Sequence, residues 1–317
     1  MPEGTPEFAD LLAWDADLPR PQWQLVHDRV ASIAEDERRR EVWSAAAGAW
    51  LRGLAYTLGA PYVVHESTNF LMMSAYATTD AASVLRHCEA CRQALDRLLP
   101  DIAAFQSPGK LAVVHLAHSE TYYTYISCFY GEGEFGSSSG MHIRDGYPHV
   151  VLHGSRDLLL TLAHELMHAA IAHRNLPLWI EEGLTQLFEC DAGGREAILV
   201  TPEIANKQKT FWRRESLAGF WRGESFTRAD EGQELSYQLA EILLRLLVGE
   251  HRPRWLGWDQ RPVQKLYGFL SHAQQADFGQ AAAQQHLGFG IQQLAAKFLG
   301  AGDWSPPDAA ELSSPDT

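Results

Sequence analysis

Apolar residues recur at helical spacing between residues 22 and 58, where Trp43, Ala47, Trp50, Leu51 and Leu54 share one stripe, so one or two helices are expected there. A strand-like run over 69–73 precedes a helix over 79–99, and a second apolar run over 111–116 follows Pro108-Gly109. The order is strand, helix, strand. Residues 131–140 are almost all glycine, serine and glutamate, which predicts a mobile loop, and 149–153 then reads as a short strand. The remainder is helical in pattern, over 157–173, 178–189, 235–248, 263–272 and 280–299. Strands early and helices late predict an α+β chain with a small mixed sheet, followed by a mostly helical C-terminal half.

Composition narrows the functional classes. With 46% hydrophobic and 21% charged residues the chain can build a core, and a net charge of −14 argues against nucleic acid as a partner. The longest apolar runs, near 158–160 and 242–244, are far shorter than the roughly 18 residues a membrane span needs, so no membrane association and a soluble protein are expected. The opening Met-Pro-Glu-Gly-Thr-Pro-Glu has neither a basic nor an apolar leader segment, which makes a cytoplasmic location the default. Four cysteines are too few for a disulfide framework. Cys88 and Cys91 form half a redox or zinc motif, yet with Val84, Leu95 and Leu98 they also follow the packing stripe of one helix. Aromatic and cationic residues alternate in Phe211-Trp-Arg-Arg214 and Phe220-Trp-Arg222, as a binding groove or a helix packed on the core would require.

The strongest chemical signal is His164-Glu165-Leu166-Met167-His168, inside a run without glycine or proline. Positions four apart on a helix differ by about 40°, so both imidazoles project from one face and can share a cation such as zinc. Glu165 stands beside that cation, where a carboxylate can take a proton from water. In an otherwise apolar helix these polar groups need partners, and a metal supplies them. Downstream, Glu181 and Glu182 fall in the first turn of the next helix after Pro177, where the helix dipole favours any acidic residue. On a helical wheel Glu182, Gln186 and Glu189 lie opposite the apolar face, toward either solvent or a cleft.

His164-Glu-x-x-His168 followed by Trp179-Ile-Glu-Glu182-Gly183 resembles the gluzincin zinc metallopeptidases, above all the bacterial peptidase-MA-like group. Looser similarity runs from about residue 60 to 300. The resemblance implies a zincin-like fold and a zinc-dependent peptidase, with His164, His168 and Glu182 as metal ligands. Glu165 would be the general base for the attacking water, and a peptide or protein the substrate. It also implies an oxyanion donor, for which Tyr237 is the candidate and Tyr122, Tyr123 and Tyr147 are alternatives. The strand over 149–153 would be the sheet edge that pairs with an extended substrate. Two positions depart from the pattern: Gln186 replaces a common acidic residue, and Thr185 a common alanine. They motivate the alternative of a weakly active or inactive zinc-binding scaffold, against which Glu165 argues. The implied organisation is a loose segment over 1–20, a helical extension over 21–60, a catalytic subdomain over 61–200, a helical subdomain over 201–302, and a disordered tail over 303–317.

Overall fold

The computed structural model describes residues 12–15, 18–130, 138–154, 156–251 and 261–307. The start of the chain, most of the expected loop over 131–140 and the end of the tail therefore lie outside the described residues. The chain divides into two compact units, Met1–Leu98 with Ala104–Ala170 and Leu99–Ala103 with Ile171–Thr317.

The first unit is built on a five-stranded sheet. Its strands are β3 (Val63–Glu66), β4 (Phe70–Ser74), β5 (Leu111–Leu116), β6 (Gly140–Ile143) and β7 (His149–His153), preceded by a small hairpin of β1 (Leu12–Asp15) and β2 (Leu18–Pro21). The spatial order is β3-β4-β5-β7-β6, with β4, β5 and β7 parallel and both edge strands antiparallel. The parallel strands are mostly apolar and almost wholly buried because both faces are covered, with His115 and His149 among the few polar residues taken inside. Helix α2 (Asp36–Leu58), which follows α1 (Trp23–Ala31), buries Trp50, Leu51 and Leu54 against Met73, Val114 and Val151. The crossover helix α3 (Thr78–Leu98) joins β4 to β5 and buries Cys88 and Cys91, so the packing stripe is the reading that holds. A short α4 (Ser119–Ile126) and the long apolar α5 (Leu158–Ile171) complete the unit.

One expectation is overturned here. The strand His149–His153 pairs on both sides, with β5 and with β6, so it is internal and cannot accept a substrate strand. The edge is β6. Four residues beginning with glycine after a glycine and serine tract carry no legible alternation, which is why the sequence hides it.

The second unit is helical: α6 (Leu178–Phe188), α7 (Pro202–Phe211), α8 (Arg214–Arg222), α9 (Glu231–His251), α10 (Arg261–His272), α11 (Gln280–Ala282) and α12 (Ile291–Leu299). Trp179, Trp212, Phe220, Trp221, Phe269 and Phe278 are buried, so Trp212, Phe220 and Trp221 of the two Phe-Trp-Arg segments belong to the core, while Phe211 is only half-buried. The stretch over 280–299 is not one helix. A π-turn over Ala283–Leu287 ends at Gly288, whose φ of 83° stops the helix before α12 begins. Beyond α12 the Trp304 carbonyl accepts from Trp221 Nε1 at 3.2 Å, tying down the first residues of the expected tail. Among the described residues, no helix is long and apolar enough to cross a membrane.

Candidate metal centre

Helix α5 buries Leu162, Ala163, Leu166, Met167 and Ala170, and this apolar wrap fixes the direction of the two half-buried imidazoles. His164 and His168 converge as their spacing requires, with Nε2 atoms 2.9 Å apart and rings at 64°. Glu165, between them in sequence, is only 7% exposed. The backbone of edge strand β6 passes directly beside it. A Cβ built on Gly140 would stand 2.6 Å from Thr161 Cγ2, 2.9 Å from Glu165 Cγ and 3.1 Å from its Oε1, so a larger residue here would push against the side chains of α5, Glu165 among them.

The third candidate ligand, Glu182, is positioned by α6. Pro177 caps this helix, and its carbonyl accepts from Ile180 N and Glu181 N at 2.8 and 3.0 Å. Glu182 then points inward and is 6% exposed, which removes the solvent alternative left open by the wheel. Thr185, fully buried one turn on, places its hydroxyl 2.7 Å from the Glu182 carbonyl and 3.3 Å from Glu182 Oε2. Gly183 is also explained: a Cβ there would meet the Ala240 carbonyl and Leu244 of α9 at 2.8 Å, so it is a helix backbone that approaches closely.

His164, His168 and Glu182 each offer one ligand atom, and these atoms all lie within 4.8 Å of one another. Two imidazole nitrogens and one carboxylate oxygen are the donor set of a catalytic zinc site. Two nitrogens about 2.05 Å from a tetrahedral ion stand about 3.3 Å apart, so the observed Nε2 separation fits zinc after a shift of a few tenths of an ångström. The cluster has the gluzincin arrangement of zinc ligands. No family model, curated protein or solved structure matches the chain.

The tyrosine candidates separate. Tyr147 is buried among Trp23 and Trp43 with its hydroxyl donating to the Lys110 carbonyl, so the core has claimed it. Tyr122 is buried with its hydroxyl 2.8 Å from Ser138 Oγ, and burial, with the nearby Glu165 charge, pushes its pKa up. Tyr123 donates to the Ser138 carbonyl. Tyr237 lies on α9, one turn before the Ala240 carbonyl that faces Gly183, with its ring edge-on to Phe226 at 5.3 Å.

One residue was missed by sequence reasoning. His142, two positions after Gly140 on β6, is half-buried, and desolvation, with His149, His168 and Arg144, lowers its pKa to about 3. Strand alternation puts it on the Gly140 side of β6, near His168. The only available signal was that two-residue spacing, in a strand that could not itself be read.

Proposed function

We propose that the chain is a zinc peptidase that hydrolyses peptide bonds at the centre formed by His164, His168 and Glu182. The observation that carries this reading is the convergence of the three ligand atoms with a buried carboxylate, Glu165, beside the first of them. A purely structural metal site has no use for that carboxylate. Zinc in such a site supplies Lewis acidity toward a carbonyl and a water molecule. The residues of the chain do the rest. Glu165 accepts the proton of the attacking water and returns it to the leaving amine, and its burial beside the Gly140 backbone keeps the carboxylate in one place while it does so. Among the described residues no strand pairs with the outer edge of β6, which can offer backbone donors and acceptors to an extended peptide and supports a peptide or unfolded protein segment as the substrate. Tyr237 is assigned the oxyanion donor role, supported by its place on the helix that packs on α6.

The test is Glu165→Gln, which keeps shape and metal but cannot accept a proton. Against a fluorogenic peptide mixture the variant should lose at least about a hundredfold in rate while its zinc content stays that of the wild type. Retained activity overturns the assignment of the base. A wild type with bound zinc and no hydrolysis of any peptide, with or without chelator, would return the alternative of a zinc-binding scaffold.

A further inference from the structure

We infer that Thr185 is a positioning residue for the metal site, holding the Glu182 carboxylate in its ligating direction. The inference rests on Glu182 as a ligand and goes beyond it, because nothing in the ligand pattern calls for a hydroxyl at this position. A threonine inside a helix ordinarily donates to a carbonyl three or four residues back, and Thr185 Oγ1 does so to the Glu182 carbonyl at 2.7 Å. The same oxygen also lies 3.3 Å from Glu182 Oε2. One hydroxyl therefore bridges the main chain and the carboxylate of a single residue. Thr185 is fully buried, so water does not compete for that proton. A carboxylate restrained through one oxygen loses less freedom when it binds a cation. Support of a ligand by such a partner is commonly worth about ten- to a hundredfold in metal affinity.

Three substitutions separate this role from helix packing. Thr185→Val keeps the shape and removes the donor, Thr185→Ala removes both with no helix-propensity penalty, and Thr185→Ser keeps the donor alone. Zinc affinity is measured by competition with a chromophoric chelator, and thermal unfolding is followed with and without zinc. The valine and alanine variants should bind zinc about tenfold or more weakly and gain less thermal stability from it, whereas serine should stay within about threefold of the wild type. If Thr185 only packs the helix, all variants lower the zinc-free midpoint and none changes zinc affinity. Wild-type affinity in both the valine and the alanine variants overturns the inference. A wild type that binds no zinc instead overturns the ligand assignment beneath it, which is a different result.

Discussion

A single methyl group at Gly183 tests how α6 is seated. Replacing an interior helical glycine by alanine ordinarily stabilises by about 1 kcal/mol through helix propensity. Here the new Cβ would stand 2.8 Å from the Ala240 carbonyl oxygen and from Cγ and Cδ2 of Leu244, where ordinary contact begins at 3.4 Å. Leu244 can change rotamer, but the carbonyl belongs to the backbone of α9 and cannot turn aside. The two helices must then part by about half an ångström, and overpacking of this kind costs about 1–3 kcal/mol. The cost exceeds the gain, so Gly183→Ala should lower stability by about 1 kcal/mol, against the propensity rule. Because Glu182 is the adjacent residue, the same displacement should weaken zinc binding. Urea unfolding followed by tryptophan fluorescence, with chelator present, reads the first effect as a lower midpoint at unchanged slope, and chelator competition reads the second. A variant more stable than the wild type would refute the close approach of α6 and α9.

Glu181→Gln should cost at most about 1 kcal/mol, through the helix dipole alone, whereas Glu182→Gln should weaken zinc binding selectively. Equal zinc affinities in the two variants would remove Glu182 as a ligand. His149 donates from Nδ1 to the Tyr147 carbonyl at 2.7 Å and accepts from the Tyr125 hydroxyl at Nε2 at 2.8 Å, and desolvation by burial lowers its pKa from 6.5 to about 4. The unfolded chain binds the extra proton first, so this stability is complete above pH 6.5 and fades as pH falls toward 4, by about 3 kcal/mol in all. A nuclear magnetic resonance titration should show the His149 ring unprotonated at pH 5.5, and a midpoint near 6.5 would refute the buried hydrogen-bonded tautomer.

The site was legible where local geometry decides it. Two histidines four apart on an apolar helix converge whatever surrounds them, and their Nε2 atoms do. Glu182 was legible through the pattern Trp-x-x-Glu-Gly, while the wheel left its surroundings open. A wheel registers which face is apolar, and α6 is packed beyond that face, leaving Glu182 at 6% exposure. Gly183 could be read as a place of close approach, but its partner, the Ala240 carbonyl, is 57 residues further along the chain and leaves no local trace. The sheet core was legible as apolar runs. Its edge was not, because β6 is four residues long, and β3 alternates too briefly to register. The break near Gly288 was hidden because the residues on either side keep one amphipathic pattern across it.

The open edge of β6 also exposes the protein to itself. A row of main-chain donors and acceptors able to receive a peptide strand does not distinguish a substrate from the strand edge of another copy, and such edges are where chains join into aggregates. The features that make β6 hard to read are the ones that restrain this. It spans only about 13 Å at ~3.3 Å per residue, it starts at a glycine, and it is followed at once by the charged pair Arg144 and Asp145, the latter bonded to Arg20. Four residues give too few hydrogen bonds to hold two folded copies together without side-chain contacts. If β6 receives the substrate as proposed, a longer, more apolar strand would bind peptides more tightly but also pair more readily with another copy, and its brevity would set the balance between the two.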